Sequence, residues 1–368
     1  MKLNLNKQQI LGLISNIHGF TSEKATIPIT GNFYLKNSGG KFSMVATDLE
    51  IQATAVADLG ILEDFAFTLP AKKFKDAVTA LPTTDAFVLE LNAEKAIVKA
   101  GKTKYTLQTL PAAHFPILTH STDVDAVSKF SVSRVELYNA LELLCFAQGV
   151  HDARPFLNAS LLEMFGGTLN MVATDAHRLS FASMVASETA KDFTQIIPRK
   201  TVATLISLTK KSPEELVYFT VYPAQVVIQV GSVEVISKVV DGKYPDYRRV
   251  IPNFPNQCKV NSKELLETIQ RIAVIGTDKL RSITLTFAEN LIKVACKNET
   301  QETSIDEVAC TYTGVEVTNS YNIQYWIELL SRLDVKDINI SIDTQGKSNL
   351  VTIVGAYNFS HTMMPLRG

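Results

Sequence analysis

The chain has 368 residues, of which 46% are hydrophobic and 20% charged. At about 100–200 residues per domain, this predicts two or three folded domains and excludes a disordered chain. Basic and acidic side chains nearly cancel, 36 against 37, and the net charge of −1 disfavours a general nucleic-acid binder on the whole-chain count. Apolar runs fall short of the ~18 residues of a membrane span. Residues 1–7 lack the continuous apolar core of a signal peptide. The four cysteines contain no Cys-x-x-Cys pair, which argues against a disulfide framework or a zinc module. Together these features predict a cytoplasmic protein with reduced thiols.

The elements follow in chain order. An apolar stripe of Ile10, Leu13, Ile14 and Ile17 predicts a helix over 7–18. Gly39-Gly40 marks a hairpin turn. Pro70 opens a second helix over 71–80, because proline lacks the N–H that would be unpaired at a helix start. Alternation over 86–91 predicts a strand. Ser133, with Glu136 three residues on, forms a capping box for a helix over 133–148. Gly166-Gly167 marks another hairpin turn, and Pro198 opens a helix over 198–211. Alternating residues 217–230 read as strand. Ser262 plays the cap role for a helix over 262–275, and a sixth helix starts near Asn322 and runs to 332. Strands follow at 338–342 and 350–354.

The elements repeat. Met44-Val45-Ala46-Thr47-Asp48 recurs unchanged as Met171-Val172-Ala173-Thr174-Asp175, a shift of 127. Lys2, Lys129 and Lys259 each open an amphipathic stretch. Gly101, Gly231 and Gly355 each precede an alternating run. Those runs lead to Phe115-Pro116, Tyr244-Pro245 and Met364-Pro365, and Val294-Ala295-Cys296 is a degraded third copy of the Val-Ala-Thr element. The chain is therefore three tandem copies of one α+β unit, with boundaries expected at 1–125, 126–255 and 256–368.

Charge placement changes what the net charge implies. The six helical windows carry +6 in total and the rest of the chain −7. The basic residues that matter are Lys7, Lys72, Lys73, Lys75, Arg199, Lys200, Lys210 and Lys211. A basic helical layer on an acidic protein is an electrostatic surface for phosphate. Catalytic patterns are weaker. Ser207-Leu208-Thr209-Lys210 fits Ser-x-x-Lys but lacks its partner motifs. Asp123 and Asp125 sit in a polar linker. Asp175, His177 and Arg178 resemble an acid/base cluster, yet copy one has Asp48-Leu49-Glu50 there. The histidines show no ligand spacing. These patterns predict a non-enzyme with neither metal nor cofactor. The end copies also carry opposite charge. Lys99, Lys102 and Lys104 lie on a strand with Tyr105 and Leu107. Glu299, Glu302, Asp306 and Glu307 lie near Val274 and Ile275 in copy three. Complementary surfaces on one chain predict a head-to-tail contact that can close a ring.

Specific segments carry a resemblance. They are Thr174-Asp175-Ala176-His177-Arg178-Leu179, the run from Lys238 through Tyr244-Pro245-Asp246-Tyr247-Arg248-Arg249 to Pro252, the C-terminal Met364-Pro365-Leu366-Arg367, residues 109–116 and residues 27–32. In order and over the whole chain, they resemble the bacterial DNA sliding clamp family, the beta subunit of DNA polymerase III. The resemblance implies three copies of the clamp fold, each with two helices on antiparallel sheets. It further implies a homodimeric ring of six domains that slides on double-stranded DNA without reading sequence. Implied partners are the replicative polymerase alpha subunit, the clamp loader, other polymerases and repair proteins that carry short binding peptides.

DNA contact is then expected from Lys24, Lys72, Lys73, His151, Arg154, Phe156, Arg199 and Lys200, with Pro155 where the family can have an aromatic. The dimer interface is expected from Lys102, Lys104, Tyr105, Leu107, Val274, Ile275, Glu299, Glu302 and Asp306. The peptide cleft is expected from Leu157, Thr174, His177, Arg178, Leu179, Pro245, Arg249, Val250, Leu280, Asn322, Tyr325, Met363, Met364, Pro365, Leu366 and Arg367. The arginines and Asn322 would pair the backbone of an extended peptide. Ala176 replaces a glycine common in the family, and Gly368 extends past the usual end.

Overall fold

The structure is a computed structural model. It describes all residues except 22–26, 83–84, 93, 121–123, 188, 252–253, 277–281, 344–348, 354–357 and 367–368. Lys24, Leu280, Arg367, Asp123 and Gly368 therefore lie outside the described residues.

Among the described residues six α-helices form, within the windows that stripes, prolines and caps predict: α1 Lys7–Ile17, α2 Ala71–Ala80, α3 Arg134–Cys145, α4 Arg199–Lys211, α5 Ser262–Ile272 and α6 Ile323–Leu330. The stripe Ile10, Leu13, Ile14 and Ile17 is the buried face of α1. Pro70 and Pro198 stand directly before α2 and α4. One cap differs from expectation. Asn261 caps α5, its Oδ1 accepting from the Glu264 N–H at 3.0 Å. Ser262 is instead the first helical residue, buried, and its hydroxyl donates to the Val335 carbonyl. Asn6 and Asn322 cap α1 and α6 in the same way as Asn261. Residues 273–275 form a 3₁₀ turn rather than the last turn of α5. The alternating run 217–230 is two strands, Leu216–Val221 and Gln225–Val230, paired as a hairpin. Both Gly-Gly pairs have positive φ at each glycine, +58° and +78° at 39–40 and +55° and +77° at 166–167. That is the mirror-image turn whose twist suits two flanking strands.

Among the described residues all strand pairing is antiparallel and forms three sheets. The chain divides into two compact units. The first comprises 1–134, 187–191 and 203–239. It holds a four-stranded sheet that ends at Thr103–Gln108, and an eight-stranded sheet from Phe65–Pro70 to Ser128–Ser133. The second comprises 135–186, 192–202 and 240–368. It holds one twelve-stranded sheet, from Phe193–Pro198 to Val317–Asn322.

The long sheets exist because the sequence copies share them. In the first unit, Val233–Lys238 of copy two pairs with Ile51–Ala57 of copy one, with Val235 opposite Ala53. In the second unit, Asn358–Met363 of copy three pairs with Arg178–Val185 of copy two, with Ser180 opposite His361. Sheet hydrogen bonds thus run through both junctions between copies. The compact units therefore cut across the three-copy pattern.

Candidate functional site

The repeated pentapeptide ends in the same turn twice. In copy one, Thr47 Oγ1 donates to the Ile51 carbonyl (2.9 Å) and accepts from the Leu49 N–H (3.0 Å). Asp48 Oδ1 accepts from the N–H groups of Glu50 and Ile51 at 3.0 and 2.9 Å. In copy two, Thr174 Oγ1 donates to the Arg178 carbonyl (2.6 Å) and accepts from the Ala176 N–H (3.1 Å). Asp175 Oδ1 accepts from the N–H groups of His177 and Arg178 at 2.9 and 3.0 Å. Leu49 and Ala176 occupy the left-handed region, at φ +79° and +74°. The Thr-Asp pair therefore satisfies backbone groups that the strand ladder leaves open in the turn. Both carboxylate oxygens of Asp175 accept bonds within this turn, which gives it a structural task there. Oδ2 accepts from Arg178 Nε at 3.0 Å.

Copy two differs from copy one after the turn, where Arg178 replaces Ile51. Its guanidinium is almost enclosed, at 8% exposure. Nη1 donates to Glu328 Oε2 at 2.6 Å, and Nη2 to the Phe146 carbonyl at 2.5 Å. Its central carbon lies 4.1 Å from the Tyr325 ring centroid and 5.2 Å from that of Phe146. A planar guanidinium suits this double duty, since its edge donates while its face stacks on a ring. The arginine joins the Thr174–Arg178 turn to α6 and to the chain just beyond α3. Where it is expected to pair a peptide backbone, three of its five N–H donors turn inward to Asp175, Glu328 and the Phe146 carbonyl.

The remaining candidate cleft residues divide by exposure. Leu157, Thr174, Leu179 and Met363 are buried, with Leu179 and Met363 on opposite faces of the sheet. His177, Pro245, Arg249, Val250, Met364 and Leu366 are exposed, and Tyr325, Asn322 and Pro365 are half-buried. The Asn322 Oδ1 accepts from the Gln324 N–H at 2.9 Å, so its amide protons are what remain for a ligand. Arg249 pairs with Asp246 at 2.9 Å yet stays open to solvent. The C-terminal segment is tied at two points, Met364 N–H to the His177 carbonyl (3.0 Å) and Leu366 N–H to the Ser320 carbonyl (2.8 Å). These bonds hold apolar Met364 and Leu366, 48% and 45% exposed, at the surface. Beneath the strand, His361 Nδ1 shares a hydrogen bond with Ser180 Oγ at 2.8 Å. Full burial, reinforced by the Arg178 charge, pushes the His361 imidazole down to about 3.

The segment 240–251 covers the other side of this sheet. Tyr244 and Tyr247 pack among Ala159, Leu161, Val172, Leu179 and Ile196, with Phe156 against their edge. Tyr247 donates to Glu163 Oε2 at 2.7 Å, and Arg248 pairs with the same carboxylate. Burial raises the phenols of both tyrosines well above their usual range, so they stay protonated. A cavity here is lined by Tyr244, Pro245, Tyr247, Arg248, Gln195 and neighbours. Of the expected cleft residues it includes only Pro245. Sequence reasoning missed Phe146 and Glu328. Glu328 stands three residues after Tyr325, the spacing that puts two side chains on one helix face.

Comparison with known proteins gives the family. Three models of the DNA polymerase III beta subunit match in order: the N-terminal domain over 1–119, the central domain over 131–246 and the C-terminal domain over 248–367. The beta sliding clamp of Vibrio cholerae is 30% identical over 372 residues, covering 100% of both chains. The beta sliding clamp of Escherichia coli is also 30% identical, over 369 residues and 100% of both chains. This chain belongs to the beta sliding clamp family. A solved Pseudomonas aeruginosa DNA polymerase sliding clamp superposes with a TM-score of 0.93 at 28% identity over 100% of both chains. A second structure from that organism, described as bound to griselimycin, gives 0.94 at 28% identity and the same coverage.

The other residues that the family pattern singles out are placed as follows. Lys72 and Lys73 are exposed on the first turn of α2. Arg199 donates to the carbonyls of Gln148 and Gly149 at 3.1 and 3.2 Å, and Lys200 is half-buried. Lys7 reaches the carbonyls of Thr79 and Leu81 at the end of α2, where a cation suits the helix dipole. Arg154 grips Asp152 through Nε and Nη2, and this holds the Asp152 carboxyl down at about 2. Phe156, expected among the DNA contacts, packs edge-on against Tyr244 at 6.4 Å between ring centroids. His151 is exposed, at φ +57°.

Thr103–Gln108 is the terminal strand of its sheet, and Lys102 and Lys104 are exposed. Tyr105 is half-buried. Leu107 is buried within its own unit, at 7%, so it is corrected from interface to core. Thr303–Thr311 pairs along one edge with Leu291–Lys297 and its flanks. Along the other edge its described pairing is limited to Cys310 and Thr311. Val274 and Ile305 stand 83% and 72% exposed. Arg271 takes up Asp306 at 2.7 Å, lowering that carboxyl below its usual range. Glu302 is bonded within its turn by Asn298 and Thr300. Lys99 is paired with Glu90 at 2.9 Å.

Proposed function

We propose that this chain is a processivity factor. Two copies form a closed ring around duplex DNA and tether the replicative polymerase, the clamp loader and other polymerases or repair proteins in the cytoplasm. The units are copies at 1–125, 126–255 and 256–368, and the role is non-catalytic. One observation carries the reading: the repeat has a rule for joining copies, and the chain leaves that rule unfinished at both ends. Copies one and two join by pairing Ile51–Ala57 with Val233–Lys238. Copies two and three join by pairing Arg178–Val185 with Asn358–Met363. The equivalent of the first strand in copy three is Thr303–Thr311, and the equivalent of the second in copy one is Thr103–Gln108. Each offers an open edge, and an open edge pairs with another strand unless blocked. One edge is basic and the other acidic, which favours the join between chains.

The register follows as well. Val45-Ala46-Thr47 corresponds to Val294-Ala295-Cys296. Ala46 faces Ala53, and Ala295 faces Ile305. Thr54 therefore corresponds to Asp306. Glu234, which faces Thr54 at the first junction, corresponds to Lys104. Carried to the third junction, this register sets Lys104 opposite Asp306. The second junction is offset by two residues and would set Lys104 opposite Val308, and charge selects the first. Val274 and Ile275 complete the acidic side of this interface, with Glu299 and Glu302.

The helices supply the interior. Lysines and arginines on α2 and α4, with Lys24, His151 and Arg154, bind phosphate without reading bases. Such contact weakens with salt and permits sliding. The cleft around His177, Tyr325, Met364 and Leu366 receives partner peptides, with the buried Leu157, Thr174, Leu179 and Met363 fixing the strands and turn that frame it. Leu280, Pro365 and Arg367 belong to its rim. The deciding experiment compares retention on nicked circular DNA with retention on the same DNA linearised, loader and ATP supplied. Retention on the circle and loss from the linear form are expected. Equal, fast loss from both, with loader activity verified, overturns topological linkage.

A further inference from the structure

We infer that Glu328 is a positioning residue for the peptide cleft, acting through Arg178. The inference rests on the cleft reading above. Glu328 sits on α6, one turn beyond Tyr325 and two beyond the cap Asn322. Its Oε2 takes Arg178 Nη1 at 2.6 Å, across 150 residues of sequence. Arg178 is only 8% exposed, whereas Glu328 is 28% exposed on its side chain. The ion pair is therefore mostly shielded on the arginine side, where the local dielectric is low and a lost partner is felt.

The geometry gives the pair a task. Arg178 has three anchors: Asp175 in its own turn, the Phe146 carbonyl beyond α3, and Glu328 on α6. Among the described residues, Glu328 alone gives the guanidinium a hydrogen bond to the helix that carries Tyr325 and Asn322. The Tyr325 ring stacks on the same guanidinium at 4.1 Å. The anchored arginine thus fixes the height of Tyr325 relative to the turn that exposes His177, whose carbonyl holds Met364. Without Glu328 the guanidinium keeps its turn and the Phe146 carbonyl but loses its directional bond to α6, with stacking on Tyr325 alone remaining. The two walls of the cleft are then free to shift against each other. Gln324 also reaches Glu328, through Oε1 at 3.3 Å, so the other carboxylate oxygen is held on its own helix.

The test uses the full-length protein and a labelled short peptide with Gln and Leu/Phe anchors, followed by fluorescence anisotropy. Glu328→Gln keeps the shape and removes the charge. Its expected effect is about a tenfold loss of peptide affinity, with the melting temperature and dimer population nearly unchanged. A purely structural role would not show the second signature. In an Arg178→Lys background, which keeps the charge but loses the fork, Glu328→Gln should cost little further affinity, because residues in one network are non-additive. Unchanged affinity in Glu328→Gln overturns the inference while leaving the cleft intact. So does an equal loss in both backgrounds. If Arg178→Lys does not fold, Tyr325→Leu replaces it as the second background, with the same expectation. Failure of the unaltered protein to bind the peptide overturns the cleft reading and this inference with it.

Discussion

Two residues carry consequences of their local chemistry. Ala176 holds φ +74° in a turn that is otherwise fully bonded. An L side chain there costs about 1 kcal/mol, and glycine removes that cost while adding some chain entropy. Ala176→Gly is expected to stabilise the protein by about 0.5 kcal/mol and Ala176→Val to destabilise it, as read by thermal melts. His361 gives a pH signature. Its folded value of about 3 lies below the ~6.5 of an unfolded chain. Between those values the unfolded chain binds a proton that the folded one excludes. Stability is therefore intact above about pH 6.5 and declines as pH falls toward 3, by up to ~1.4 kcal/mol per pH unit. Melting temperatures between pH 7.5 and 5 should fall more steeply in the unaltered protein than in His361→Gln. Parallel curves would refute the assignment. Little of this is legible in the sequence. Thr174, Asp175 and Arg178 can be picked out by type, but Arg178 is enclosed by Phe146 and Glu328. Residues 32 positions before it and 150 after it meet it only through packing.

Elements are more legible because their causes are local. The stripe of Ile10, Leu13, Ile14 and Ile17 and the prolines at 70 and 198 act within one or two turns, and α1, α2 and α4 form where they say. The glycine pairs at 39–40 and 166–167 act over two residues. The cap of α5 is displaced by one position for a tertiary reason. Lys336 and Val335 accept from Ser262, which draws its hydroxyl away from the helix end and leaves capping to Asn261. Asn261→Ala should therefore cost about 1 kcal/mol in a denaturant titration. Ser262→Ala should act instead through the lost bond to the 335–336 segment. The single run over 217–230 divides for a local reason. Buried positions fall at 217, 219 and 221 in the first strand and at 226, 228 and 230 in the second, so the alternation changes phase across Tyr222-Pro223-Ala224.

At the scale of the whole molecule, the three copies are legible from spacing, but their compact units are not. Periodicity cannot reveal that a strand leaves its own copy to extend a neighbour's sheet. The proposed third junction makes two predictions. Lys102→Glu with Lys104→Glu should weaken dimerisation at least tenfold by analytical ultracentrifugation, since like charges would face each other across the edge. The register is checked by cross-linking in a background without the native cysteines 145, 258, 296 and 310. Lys104→Cys with Asp306→Cys should give a covalent dimer on oxidation, and Lys104→Cys with Val308→Cys should give far less. The reverse yield would select the other register.

The junction between copies has a further consequence for how such a ring comes apart. Two of its three kinds of seam are closed within a single chain, where the linking backbone keeps the opposing strands at an effective concentration of millimolar or more. The seam between Thr103–Gln108 and Thr303–Thr311 joins separate chains, so when one such seam of the proposed ring opens, only its twin still holds the two chains together. Dilution or a loader therefore parts the ring at that seam and leaves the others shut. The two lips of the gap are never alike: one is always basic and the other always acidic. An opened ring therefore has a direction, and a protein that prises it open can tell one lip from the other by charge alone.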